Sequence, residues 1–82
     1  MIVRLHIANV APDVTEDDLR EEFGVVAEVI DLRLVMDDLT DRPTGTAWAQ
    51  MASQHDADQA VRALDGAKVG GRSIRVYEAD ED

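Results

Sequence analysis

The chain has 82 residues, 18 of them acidic and 8 basic, and a net charge of −10. This length makes a single domain, the lack of cysteine excludes disulfides and thiolate metal sites, and no apolar run approaches the roughly 20 residues of a membrane span. The acidity alone argues against nucleic acid, whose phosphates are bound by Lys and Arg. It favours a basic partner, solubility or adaptation to high salt, and a cytoplasmic location is the simplest expectation.

The first half of the chain predicts a strand, a helix and a second strand. Polar and apolar side chains alternate over residues 3–9, which is typical of a half-buried strand, and Pro12 ends that pattern. Thr15 followed by Asp18 matches a capping box and begins the predicted helix. Residues 29–35 then predict the second strand. The apolar residues at helical spacing between these strands are Leu19, Phe23 and Val26.

The middle of the chain holds the only tryptophan, in a segment of small residues. A polar loop over residues 37–44, closed by Pro43, precedes it. The segment "TGTAWAQM", residues 44–51, alternates as a third strand does. Because its neighbours are small, Trp48 has little local cover, and we expect an exposed ring on the sheet surface. The alternative is that the ring folds back onto the sheet edge or packs under the chain terminus.

The second half of the chain predicts another helix and a last strand. Ser53 is placed to cap the helix, and Gly66 is placed to end it as a C′ glycine. Gly70-Gly71 predicts a turn, after which residues 73–77 alternate as a strand. The apolar stripe of the helix consists of Ala57, Ala60, Val61 and Leu64. The final acidic stretch "EADED", residues 78–82, is expected to be solvated and disordered.

This order of elements predicts an α+β fold. It is a ferredoxin-like βαββαβ sandwich, with a four-stranded antiparallel sheet and two helices packed on one face. Residues 1–78 form the single domain, and residues 79–82 form an acidic C-terminal tail. The second face of the sheet is then open to solvent.

Strand parity assigns the side chains of this open face. They are Arg4, His6 and Ala8 from the first strand, Arg33 and Val35 from the second, Thr44, Thr46, Trp48 and Gln50 from the third, and Ser73, Arg75 and Tyr77 from the fourth. None of them is acidic, and Asp31 and Glu78 lie at strand margins. Rings and arginines on an exposed platform suit single-stranded nucleic acid, because each stacked base is worth about 1–3 kcal/mol and basic groups contact phosphate.

Two segments resemble the sequence motifs of the RNA-recognition motif family. "LHIANV", residues 5–10, resembles its second ribonucleoprotein motif, and "TGTAWAQM" resembles the first, K/R-G-F/Y-G/A-F-V-x-F/Y. "TEDDLREEF", residues 15–23, and "GGRSIRVYEA", residues 70–79, are similar to the family's first helix and fourth strand. The resemblance runs over about residues 2–79 and implies RNA binding on the open sheet face.

The resemblance implies three base-stacking positions, which here hold His6, Thr46 and Trp48. Thr46 has no ring, His6 is a smaller platform, and Trp48 replaces the usual Phe. Thr44 stands where the family usually has a Lys or Arg that contacts phosphate. The other expected contacts are phosphate contacts from Arg4, Arg33 and Arg75, a ring from Tyr77, and base-edge hydrogen bonds from Thr46, Gln50 and Ser73. We therefore expect weak, salt-sensitive binding with little sequence discrimination.

The sequence holds no pattern typical of a metal, cofactor or catalytic site. The two histidines, His6 and His55, are expected on opposite layers, and the acids of the loop at residues 37–41 lack the spacing of a calcium loop. No nucleophile lies beside a suitable base, so we expect neither an enzyme nor a bound cofactor. His6 has a second interpretation, in which it packs against Trp48 on the neighbouring strand.

Two functions from different classes are consistent with these observations. The first is a module that binds single-stranded RNA, or single-stranded DNA, on the open sheet face. The second is a protein-interaction module, which binds a basic protein through its acidic helices or buries Trp48 in a homodimer. The missing ring at Thr46 and cation at Thr44 favour the second, whereas the remaining rings and arginines favour the first. No membrane partner is expected.

Overall fold

The sheet brings together strands that are far apart in the chain. The structure is a computed structural model and describes residues 2–79. Its elements, in chain order, are β1 (Val3–Ala8), α1 (Glu16–Val26), β2 (Val29–Met36), β3 (Pro43–Met51), α2 (Gln54–Leu64), β4 (Lys68–Val69), β5 (Arg72–Ser73) and β6 (Arg75–Glu78). The main sheet has the order β2-β3-β1-β6 with antiparallel neighbours, and both helices pack on one face. The predicted ferredoxin-like sandwich is confirmed.

Both helices begin at the residues that the sequence predicts. The Thr15 hydroxyl accepts a hydrogen bond from the Asp18 N–H at 3.1 Å, and the Asp18 carboxylate accepts one from the Thr15 N–H at 3.0 Å. The Ser53 hydroxyl accepts from the Asp56 N–H at 3.1 Å. These bonds satisfy backbone donors that have no partner within the helix, so each helix start is determined locally.

The core lies between the sheet and the two helices. One parity of β1 is buried, and so is one parity of β3 from Ala47 to Met51, as the alternation predicts. The largest fully buried side chains are Phe23, Leu5, Ile7, Leu19, Leu32, Met51, Ile74, Val10 and Val76. Because these residues occupy the helix side, the opposite parity of each strand is left for the second face of the sheet.

A short hairpin separates α2 from the last strand of the sheet, and it corrects the predicted placement of Ser73. Ser73 pairs with Lys68 in the two-stranded β4-β5 hairpin, and it therefore does not belong to the main sheet. The Ile74 N–H donates to the Ala67 carbonyl at 2.9 Å, which continues the pairing of the hairpin's two arms up to the residue before β6. Gly70 has a φ of 61° in the tight turn, and a Cβ added there would lie 2.5 Å from a Val14 methyl carbon.

The β2–β3 loop is shorter than predicted, because β3 begins at Pro43, which pairs with Met36. The Asp37 carboxylate accepts from the Leu39 N–H at 2.8 Å and from the Thr40 N–H at 3.1 Å. These bonds hold the turn and lower the pKa of Asp37, since the backbone donors favour its ionised form.

The last strand extends further than the sequence pattern indicates. Glu78, predicted as the start of the solvated stretch, lies in β6. Ala79 is buried, and its N–H donates to the Arg4 carbonyl at 2.8 Å. The rest of the predicted acidic tail, residues 80–82, lies outside the described residues.

Candidate nucleic-acid interface

A row of four side chains crosses the open face of the sheet. The strand register places Arg33 of β2 opposite Trp48 of β3, Trp48 opposite His6 of β1, and His6 opposite Tyr77 of β6. Each of these residues stands on the parity that faces away from the helices. The sheet thus aligns a cation, an indole, an imidazole and a phenol, all of them residues that the sequence places on this face.

The Trp48 ring is partly covered, and the cover comes from an arginine. The guanidinium carbon of Arg4 lies 4.7 Å from the ring centroid, and Trp48 is half-buried while Arg4 is exposed. A cation over an aromatic face is worth about 0.5–1 kcal/mol at exposed sites. The small residues around Trp48 therefore leave room for Arg4. A base that stacks on this side of the ring must displace the guanidinium, at a modest cost.

His6 stacks on Tyr77. The two ring centroids are 5.7 Å apart with an interplanar angle of 21°. His6 is exposed, and Tyr77 is 51% exposed. His6 and Trp48 are also cross-strand neighbours in register, yet the stacked ring pair is the one with β6. The rings of His6 and Tyr77 thus form a second flat surface beside Trp48.

Arg33 is paired with a carboxylate of its own strand. Its Nε lies 3.4 Å from Asp31 Oδ1, and the same oxygen lies 3.4 Å from Nη2 of Arg20 on α1. Asp31 stands opposite Gln50, next to a register shift in β2, and this position places its carboxylate at the margin of the open face. Exposed ion pairs are worth about 0.2–1 kcal/mol, so Arg33 can exchange this partner for a phosphate at low cost.

Arg75 is also paired, with the residue that ends α2. Its Nε donates to Asp65 Oδ1 at 3.0 Å, and the Val76 N–H donates to the same oxygen at 3.0 Å. The Val76 N–H is the main cause of a lowered Asp65 pKa, and Arg75 adds to it. Arg75 remains largely exposed. Although strand parity assigns Arg75 to the open face, its guanidinium is thus paired with a carboxylate at the end of α2.

The two threonines of the first motif bond to each other. The Thr44 hydroxyl donates to the Val35 carbonyl at 3.0 Å, and the two Thr hydroxyl oxygens, of Thr44 and Thr46, are 2.9 Å apart. Because a hydroxyl has one proton, Thr46 donates to Thr44, and the oxygens keep only acceptor capacity for a ligand. Gln50, opposite both Arg4 and Asp31, is half-buried on the same face.

The structure adds partners that sequence reasoning missed. Asp31 and Asp65 are the counter-charges of the two outer arginines. Asp31 stands two residues before Arg33, and this spacing places both side chains on the same face of a strand. Their pairing could therefore have been predicted from the sequence. Asp65 approaches Arg75 only through the packing of α2 against β6. Asn9, with φ at 61°, donates from Nδ2 to the Ser73 carbonyl at 2.9 Å and ties the end of β1 to the hairpin.

Other kinds of site are not seen in the part of the chain that the structure describes. Within residues 2–79, no three side chains of His, Asp or Glu come together as a set of metal ligands. His6 lies on the open face and His55 on α2, which is the separation that the sequence predicts. Neither described helix has the length and apolar character needed to cross a membrane.

The comparisons with known proteins agree with this geometry. A family model described as "RNA recognition motif" matches residues 5–75. The chain belongs to the RNA recognition motif (RRM) family. Its two motifs lie side by side in the sheet, on β1 and β3, and their register pairs His6 with Trp48.

Individual RRM proteins match over most of the chain. The chloroplastic 33 kDa ribonucleoprotein of Nicotiana sylvestris is 37% identical over 73 residues, which cover 89% of this chain and 22% of that protein. The solved structure of RNA Binding Protein PG1 has a TM-score of 0.90 at 28% identity and covers 98% of this chain and 96% of that one. A structure titled Sxl-lethal protein/RNA complex has a TM-score of 0.86 at 28% identity, covering 93% of this chain and 47% of that one.

The chain thus spans 22% of the length of the Nicotiana relative. Since this relative is chloroplastic, the comparison gives no support to a cytoplasmic location, which stays an expectation.

Proposed function

We propose that this RRM binds single-stranded RNA on the open face of its sheet. The observation that carries the proposal is the row of Arg33, Trp48, His6 and Tyr77, which presents rings and a cation on one solvent-facing surface. Stacking on such rings is the usual basis of single-strand recognition. Family membership and the fold shared with an RNA complex support the proposal.

In this proposal, one base stacks on Trp48 and another on His6. Arg4 leaves the Trp48 ring, or moves to its edge, and contacts phosphate. Arg33 and Arg75 contact further phosphates by exchanging Asp31 and Asp65 for the ligand. The hydroxyl oxygen of Thr46, as an acceptor, and the amide of Gln50 are placed to hydrogen-bond base edges.

Three features predict weak binding with little sequence discrimination. The first motif lacks a ring at Thr46 and a cation at Thr44. Each open-face arginine has an internal partner, so part of the gain from each phosphate contact is spent on breaking an existing one. The net charge of −10 repels RNA at long range. The phosphate contacts that remain should still make the affinity fall as the salt concentration rises.

Fluorescence anisotropy of a labelled single-stranded RNA at low salt tests the proposal. Trp48→Ala should weaken binding about fivefold or more, since one stacked base contributes about 1–3 kcal/mol. Trp48→Phe should keep most of the affinity because it keeps a ring. The matched control is Val25→Ala, which truncates an apolar side chain that is 82% exposed on α1 and should leave binding unchanged.

The outcome for the wild-type chain decides between the two classes of function. Saturable binding that Trp48→Ala weakens supports the RNA module. The same oligonucleotide made as DNA shows whether single-stranded DNA is also bound. If the wild-type chain binds neither at low salt, the RNA proposal is wrong. The protein-interaction hypothesis would then be tested by sedimentation for a homodimer and by pull-down with basic proteins.

A further inference from the structure

His6 occupies the centre of the open face and is the one histidine there. It lies opposite Trp48 on one neighbouring strand and opposite Tyr77 on the other, and it is exposed. The chain has two histidines, and the second, His55, lies on α2. Imidazole is the side chain whose charge changes between about pH 5 and pH 8. The exposed imidazole at the centre of the face therefore belongs to this class of side chain.

The neighbouring strands supply no counter-charge for a protonated His6. On its own strand the next residue of the same face is Arg4, a like charge that lies over Trp48. The face of β3 presents only neutral side chains around His6, namely Thr46, Trp48 and Gln50. On β6, Tyr77 stacks on His6, and its side chain is a phenol that brings no carboxylate.

The carboxylates nearest this face are already engaged. Asp31 pairs with Arg33, and Asp65 pairs with Arg75. Glu78 of β6 accepts a hydrogen bond from Gln54 Nε2 of α2 at 2.8 Å, so its carboxylate lies on the helix side. Among the ion pairs of residues 2–79, none includes His6. An imidazolium at this position would thus be a cation whose charge the described residues leave unbalanced.

We infer that RNA binding and protonation of His6 favour each other, so that the affinity of this face for RNA rises as the pH falls. The inference rests on the proposed function, because the phosphates of the bound RNA supply the missing counter-charge. The imidazolium keeps its flat surface, and its stacking on Tyr77 gains a cation–π component. By linkage, the ligand that binds the protonated form more tightly binds best at low pH.

The sign of the effect is set by which form the RNA prefers. RNA that meets an already protonated imidazole gains the extra contact in full. As the pH rises, RNA binding must first add a proton to the imidazole, which reduces the gain from the phosphate contact. At still higher pH the imidazole stays neutral in the complex, and the contact is lost. An exposed charge–phosphate contact should be worth a threefold to fivefold change in affinity, roughly the upper range of exposed ion pairs.

The test measures the dissociation constant of a labelled oligouridine from about pH 8 to about pH 5 at constant ionic strength. Uracil gains no proton in this range, so the ligand itself does not titrate. Wild type should bind about threefold to fivefold more tightly at the low end. The salt dependence should also steepen there, by about 0.7 in the logarithmic slope for one more contact with a single strand.

Two variants separate His6 from other titrating groups. His6→Phe keeps an aromatic ring for stacking, and its affinity should not rise as the pH falls. His55→Ala removes the second histidine and should keep the full wild-type dependence. The terminal amine titrates nearer pH 8 and is present in both variants. Far-UV circular dichroism at each pH shows whether the fold is intact.

The outcomes distinguish this inference from the proposed function. Wild-type binding that does not change with pH overturns the inference and leaves RNA binding standing. A pH dependence that survives in His6→Phe, or disappears in His55→Ala, also overturns it. Absence of RNA binding at every pH overturns the proposed function itself.

Discussion

At the scale of single residues, the open face is defined by what each arginine contacts. Parity places Arg4, Arg33 and Arg75 on one surface, and all three are held within the protein, by a ring or by a carboxylate. These contacts order the long side chains before any ligand arrives. Each is an exposed interaction of about 1 kcal/mol or less, small enough to be exchanged for a phosphate.

The cover of Trp48 by Arg4 makes a prediction about the indole. Arg4→Ala should raise the rate at which acrylamide quenches Trp48 fluorescence, because the guanidinium no longer shields the ring. It should lower the free energy of unfolding by about 0.5–1 kcal/mol. Fluorescence quenching and urea denaturation measure the two effects.

The control for this prediction is Arg62→Ala, which removes an arginine from the last turn of α2. Since the chain has a single tryptophan, the signal has one source. Equal quenching in wild type and Arg4→Ala would contradict the contact.

At the scale of elements, carboxylates at helix ends tie the helices to the sheet. Asp56 in the first turn of α2 accepts from the Glu28 N–H at 3.1 Å, and this bond is the main cause of its lowered pKa. Asp65 at the other end of α2 accepts from the Val76 N–H of β6. Because both ends of α2 are tied to the chain before β2 and to β6, the helix is held at a fixed position on the sheet.

The Asp65 bond predicts how stability depends on pH. The folded-state pKa of Asp65 lies below its usual value near 3.8, so its contribution is present above that value and is lost as the pH falls through the folded pKa. Asp65→Asn should lower the urea midpoint at neutral pH and reduce the loss of stability between about pH 5 and pH 3.

Urea denaturation at several pH values provides this measurement. Asp38→Asn, in the exposed β2–β3 loop, is the matched control and should keep the acid dependence of the wild type. If Asp65→Asn loses as much stability on acidification as wild type does, the Asp65 bond does not have the assigned role.

At the scale of the whole molecule, the two layers differ in charge. The helix layer begins with an acidic run in the first turn of α1, Glu16, Asp17 and Asp18, and the open sheet face carries arginines. The overall excess of 18 acids over 8 bases remains. Self-repulsion within such a chain destabilises the compact state. In the proposed function, repulsion of RNA by the acidic layer would direct it to the sheet.

Salt should therefore act in opposite directions on folding and on RNA binding. Raising NaCl to about 1 M should screen the acidic repulsion and raise Tm by roughly 4–8 °C, which corresponds to about 1 kcal/mol for a domain of this size. RNA affinity should fall over the same change. Screening also weakens the ion pairs. Because 18 acids face only 8 bases, the loss of repulsion should outweigh this effect, and the net change in Tm should be a rise.

Thermal unfolding followed by circular dichroism tests the stability effect. KCl at the same ionic strength should give the same rise, and a neutral osmolyte of equal osmolality separates screening from solvent exclusion. A Tm that falls or stays constant with salt would show that repulsion between acids does not limit stability.

The sequence by itself determined the features that depend on near neighbours in the chain. Alternation over two residues assigned His6 and Trp48 to one face, because successive strand side chains point to opposite sides. The capping box at Thr15 determined where α1 begins, since its bonds span three residues. The order of elements and the two motifs were sufficient for the fold and the family.

Only the tertiary structure decided which of these side chains meet. The partners of Trp48 and His6 depend on the register between strands and on the shifts in β2, and alternation within one strand carries no information about register. The pairing of Arg75 with Asp65 depends on the end of α2 lying against β6. Ser73 lies outside the main sheet because it pairs with Lys68 in the β4–β5 hairpin, and the continuous apolar–polar pattern of residues 73–77 conceals this pairing.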